Sequence, residues 1–98
     1  MSMHLDGQIV LPDRLLSGRV TFDAPIRTVE PLQDAPRRYI LPGFIDGHVH
    51  GGDGSDTMDG VQAIEKLARF HLAHGTTTLL PNTITRPWAD VMAALAAL

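Results

Sequence analysis

The chain has 98 residues, 44% of them hydrophobic and 19% charged, a balance that suits an ordinary soluble globular protein and excludes a disordered or fibrous one. A net charge of −3 and a pI near 5.9, with eight scattered Lys and Arg, leave no electrostatic footprint for nucleic acid. With no cysteine there is neither a disulfide framework nor a thiolate metal site, so any metal ligands must be His, Asp or Glu.

The chain opens at Met1–Asp6 without the basic start and apolar core of a secretory signal. Nor does any apolar run approach the ~20 residues that span a bilayer, so a cytoplasmic protein with no membrane partner is expected. Up to Tyr39 the signals are short and β-like. Met3–Leu11, Leu15–Phe22, Ile26–Leu32 and Arg38–Leu41 are predicted strands, cut by Asp6-Gly7, Pro12-Asp13, Ser17-Gly18, Asp23-Ala-Pro25 and Asp34-Ala-Pro36. They are polar and irregular, which predicts a small β-sheet lobe over residues 1–41.

From Ile40 the character changes. Phe44–His48 reads as a buried strand with Pro-Gly before it and a glycine loop after it. Asp59-Gly-Val-Gln62 has the spacing of a capping box at the start of a helix over Gly60–His74. That helix carries Val61, Ile64, Leu67, Ala68 and Leu72 on one stripe, and Gly75 stands where a helix C-cap glycine belongs. Thr76–Pro81 is a second buried strand, and Pro87 opens a last helix, where its missing N–H costs nothing. Strand, helix, strand and helix in this order predict a right-handed parallel βαβ unit over residues 42–98, with its loops gathered at the strand C-termini. The chain stops in Ala93-Ala-Leu-Ala-Ala-Leu98, strong helix formers with no Gly, Asn or Pro to end them. It is therefore expected to be the front of a longer protein; a helix that happens to close the chain is the alternative.

The most informative stretch is Leu41-Pro-Gly-Phe-Ile-Asp-Gly-His-Val-His50, followed by Gly51-Gly-Asp-Gly54. Side chains two apart on a strand share a face, so His48 and His50 can grip one metal ion while Val49 packs on the other side. Strand C-termini are where barrels and open α/β sheets assemble their sites. Neutral imidazoles suit Zn²⁺ or Fe²⁺, and such an ion can lower the pKa of a bound water to ~7. The competing reading is that both histidines only cap the strand with local hydrogen bonds; strand-end position and the glycine loop favour ligation.

Other polar residues carry weaker signals. Asp46, two residues deeper on that face, either orients the site or bonds backbone amides. The Gly51–Gly54 loop either lets backbone approach a ligand or is a flexible exit from the strand. It lacks the spacing of a nucleotide phosphate loop. Asp53, Asp56 and Asp59 read as solvated or capping carboxylates. His71 and His74 imitate an i, i+3 metal pair, but the apolar stripe points to a packed, hydrogen-bonded His71 facing away from the strand ends. Asn82 and Thr83 fall on the reactive rim, to touch substrate or to turn the chain.

The β lobe followed by Pro-Gly-Phe-Ile-Asp-x-His-x-His resembles the opening of the amidohydrolase superfamily, whose metal-dependent hydrolases sit on a (β/α)8 barrel. Within it, His50–Gly60 and His74–Thr85 are similar to the N-acetylglucosamine-6-phosphate deacetylase family. The fold this implies is α/β: the first two βα units of a truncated TIM-type barrel after a small N-terminal β lobe. The function implied is hydrolysis of the N-acetyl amide of N-acetylglucosamine 6-phosphate to glucosamine 6-phosphate and acetate. By the same resemblance His48 and His50 match the first-strand metal ligands of a site for one or two divalent ions, Zn or Fe. The remaining ligands and the aspartate that acts as general base and acid come from later strands, so no catalytic residue is expected in this chain. The 98 residues alone are expected to be inactive, and the complete protein a homodimer acting on a small amino-sugar phosphate. The rivals are a cyclic-amide hydrolase of the dihydroorotase or hydantoinase kind and a non-catalytic relative.

Overall fold

The computed structural model describes all 98 residues, in two compact units, Met1–Pro42 and Gly43–Leu98. The first unit is a four-stranded sheet. Strands β1 (Met3–Val10), β2 (Leu15–Phe22) and β3 (Ile26–Pro31) run antiparallel in sequence order, and the short β4 (Tyr39–Ile40) pairs parallel with β1 on its other edge. Period-two alternation buries Ile9 on β1 and Val20 on β2, the only two hydrophobic residues this unit buries. The expected fourth strand shrinks from Arg38–Leu41 to two residues; Arg38 still bonds β1, its carbonyl accepting from the Gln8 N–H and its Nε donating to the Asp6 carbonyl.

The second unit is mixed α/β. Strand β5 (Phe44–Val49) leads into a small hairpin, β6 (Gly51–Gly52) and β7 (Ser55–Asp56), then a single 3₁₀ turn at Thr57–Asp59. Helix α1 (Val61–Ala73) follows, then β8 (Thr76–Pro81) and helix α2 (Trp88–Ala97). β5 and β8 pair in parallel, with irregular register between Phe44 and Ile45 and between Asp46 and Val49. The hairpin turns through Asp53 and Gly54 at φ +51° and +74°, the left-handed conformations a tight two-residue turn demands.

Three expectations need correction here. The capping box lies one turn earlier than the spacing of Asp59 and Gln62 suggested: Asp56 Oδ1 accepts from the Met58 N–H, and Asp59 Oδ2 accepts from the Asp56 N–H. Asp59 is thereby used by the 3₁₀ turn, and α1 starts from Gly60 with no side-chain cap. The helix stripe is narrower than its sequence implied, since Leu67 is fully buried while Val61 and Leu72 are exposed. Nor are the strands buried as expected: β8 buries none of its residues, and β5 is not buried on both faces. Phe44 and Ile45 are 57% and 76% exposed, because β8 is its one hydrogen-bonded neighbour in these residues.

The helix stop follows the sequence. Gly75, at φ +97°, follows the last turn of α1, and the His74 N–H bonds back to His71.

Candidate metal centre

β5 delivers its two histidines to one point. The alternation that buries Val49 to 6% exposure turns His48 and His50 together on the opposite side. Their Nε2 atoms lie 2.9 Å apart, with ring centroids at 4.7 Å and planes at 78°. For metal–nitrogen bonds of ~2.05 Å that separation subtends about 90° at a shared ion, against roughly 3.3 Å for tetrahedral ligands. Small ring rotations span that difference.

The chemistry of the donors fits an ion. His50 Nδ1 lies 3.1 Å from the Asn82 carbonyl oxygen, which can only accept, so Nδ1 is the protonated nitrogen and Nε2 presents its lone pair. This is the arrangement found where a ligating histidine donates its other nitrogen to a carbonyl. The pair stands alone, with no third His, Cys, Asp or Glu placed to complete a coordination sphere. Two nitrogens fall short of the three protein ligands usual at a catalytic zinc.

Of the other residues singled out from sequence, Asp46 is not aimed at the pair. Its Oδ1 accepts from the His48 backbone N–H at 3.0 Å, the backbone role weighed for it above. Asp53 and Asp59 are exposed, and Asp56 caps the 3₁₀ turn. His71 is half-buried and hydrogen-bonded, but not turned away from the strand end: its Nε2 donates to the Gly51 carbonyl at 2.9 Å. The last turns of α1 reach the loop beyond the histidines, and a Cβ on Gly52 would sit 2.8 Å from that same nitrogen. His74 bonds within its own helix, Nδ1 to the Phe70 carbonyl at 2.8 Å.

Asn82 and Thr57 are the contributors that sequence left undecided or missed. Asn82 holds the Val49 N–H through its side chain and the Val49 carbonyl through its own N–H. Thr57, fully buried, bonds the His50 carbonyl twice. Asn82 was legible as a rim residue because it follows a strand. Thr57 gave no signal beyond a polar residue near a helix start.

Comparison with known proteins places these features in company. Residues 39–98 match the sequence profile described as "Amidohydrolase family". The chain is 36% identical over 78 residues to N-acetylgalactosamine-6-phosphate deacetylase of Escherichia coli O157:H7, spanning 74% of this chain and 21% of that protein. It is 35% identical over 83 residues to N-acetylglucosamine-6-phosphate deacetylase of Bacillus subtilis (strain 168), spanning 80% of this chain and 21% of that one. It thus covers about a fifth of the length of these relatives. Its fold superposes with a TM-score of 0.79 on a mutant N-acetyl-D-glucosamine-6-phosphate deacetylase from Mycobacterium smegmatis, solved with N-acetyl-D-glucosamine 6-phosphate. That match has 24% identity and covers 98% of this chain and 28% of the other.

Proposed function

This chain belongs to the amidohydrolase family, and from that premise we propose that it is the opening portion of a deacetylase acting on N-acetylglucosamine 6-phosphate. The products are glucosamine 6-phosphate and acetate. The observation that carries the reading is the convergence of His48 and His50 at the end of β5, within a chain 33–40% identical to several deacetylases of this substrate class. We take residues 1–41 as a small β lobe and residues 42–98 as the first two βα units of a (β/α)8 barrel. The order β5, α1, β8, α2 and the parallel β5–β8 pairing support that assignment. A cytoplasmic homodimer completes the proposal, resting on the resemblance; no helix is long and apolar enough to cross a membrane.

In this reading His48 and His50 hold a divalent ion, zinc or iron, as two ligands of a site for one or two ions, and later strands supply the rest. The ion, when bound, supplies Lewis acidity toward the amide carbonyl and toward water. The chain's own residues fix geometry. β5 carries His48 and ends just before His50, Val49 anchors both through the packing on the opposite side, and His50 keeps its proton on Nδ1 so that its Nε2 lone pair is turned toward His48 Nε2, 2.9 Å away. The proton carrier, an aspartate, belongs to a later strand.

The test is made on the full-length protein. His48→Ala and His50→Ala are each expected to lower metal content and to cut deacetylation of N-acetylglucosamine 6-phosphate by about 100-fold or more. Unchanged metal content in both variants would sink the assignment. The N-acetylgalactosamine 6-phosphate epimer, the substrate named for one relative, belongs in the same assay. Faster turnover of the epimer would move the substrate while leaving the chemistry in place.

A further inference from the structure

His50 is held from two sides by residues that ligate nothing themselves. On one side the Asn82 carbonyl takes the Nδ1 proton at 3.1 Å. Asn82 is in turn fastened to the residue between the two histidines. Its N–H donates to the Val49 carbonyl at 2.7 Å, and its Oδ1 accepts from the Val49 N–H at 3.2 Å. On the other side the His50 carbonyl accepts from the Thr57 N–H at 2.8 Å and from Thr57 Oγ1 at 2.8 Å. Thr57 has no exposed surface, so its hydroxyl depends on that bond for satisfaction.

We infer that Asn82 and Thr57 are positioning residues that hold His50 in its Nδ1–H tautomer with Nε2 directed at the cation. The inference rests on the metal reading above and deepens it. An exposed imidazole free to rotate and exchange tautomers offers a directed lone pair only part of the time, and affinity falls with that competent fraction. Each residue removes one freedom. Thr57 pins the backbone of His50 just past the end of β5, where ladder bonds no longer hold it. Asn82 uses its side chain to hold the Val49 N–H, which keeps its own carbonyl within bonding distance of His50 Nδ1. The two clasps come from different elements, the 3₁₀ turn and the end of β8, so His50 is fixed only once the strand, turn and second strand have assembled.

In the full-length protein, Thr57→Val removes the hydroxyl at nearly constant volume, and Thr57→Ser keeps it. Asn82→Ala removes the side-chain acceptor, and Asn82→Asp keeps one. Zinc affinity, measured by chelator competition on protein shown to be folded, is expected to fall about 10- to 100-fold in Thr57→Val and Asn82→Ala. It should stay near the parent value in Thr57→Ser and Asn82→Asp. Long-range ¹H–¹⁵N spectra of histidine-labelled, metal-free protein read the tautomer directly. The Nδ1–H form should dominate in the parent and give way to a mixture in the two truncating variants, while His71, bonded through Nε2 to the Gly51 carbonyl, keeps its parent signal; a general loss of packing would move both. If Thr57→Val does not fold, Asn82→Ala and the parent spectrum decide. Parent-like zinc affinity in the truncating variants, alongside loss of zinc in His50→Ala, overturns the clamp and leaves the metal site standing. An Nε2–H parent tautomer overturns it too. Unchanged zinc binding in His50→Ala removes the metal reading itself, and the clamp with it.

Discussion

Asp6 and Arg19 face each other across β1 and β2 and form a bidentate pair, with Nε and Nη2 donating to the two carboxylate oxygens at 2.7 and 2.9 Å. The hydrogen bonds from Arg19 hold the Asp6 carboxyl below its ordinary value of 3.8. A carboxyl whose folded pKa is lowered stabilises the fold above its unfolded value, and that contribution disappears as pH falls through the folded one. The protection of β1 and β2 amides, taken relative to their intrinsic exchange rates, is therefore expected to fall as pH drops through 3.8 and below. Asp6→Asn should remove that acid-dependent step. An identical acid profile in the variant would show that other carboxylates control it.

At the scale of elements, α1 is tied to its unit by few residues. The helix packs on the hairpin and β8, Leu67 is its only fully buried side chain, and His71 adds the bond to the Gly51 carbonyl. Leu67→Ala is expected to cost about 2–5 kcal/mol, read as a lower denaturant midpoint in the full-length protein. Leu72→Ala, on the exposed side of the same helix, should cost far less. Equal costs would mean that the stripe predicted from sequence, with Val61 and Leu72 included, is covered by further chain.

At the scale of the whole molecule the apolar surface is incompletely covered. Phe44, Ile45 and Leu80 on the two parallel strands are 57%, 76% and 57% exposed, and Trp88 on α2 is 77% exposed. Large apolar side chains left uncovered in this way drive association when nothing packs on them. The 98 residues produced alone are expected to self-associate, to bind zinc weakly through two histidines, and to lack deacetylase activity. Sedimentation, zinc titration and a turnover assay check this. A monomer with a sharp cooperative melt and measurable turnover would contradict it.

The sequence by itself was enough to place two imidazoles on one face of a strand, because alternation is a property of extended backbone that needs no partner. It was enough, too, for β8 and for the end of α1, where β-branched residues and Gly75 act locally. It did not reveal where α1 begins. Asp59 could serve either of two adjacent turns, and packing of the buried Thr57 accompanies the earlier one. Nor did it reveal how His50 is held. Asn82 lies 32 residues away and Thr57 seven, and only the folding of β8 beside β5 and the return of the hairpin bring their polar atoms into bonding range. Local periodicity names the donors, whereas their orientation depends on distant backbone that meets only in three dimensions.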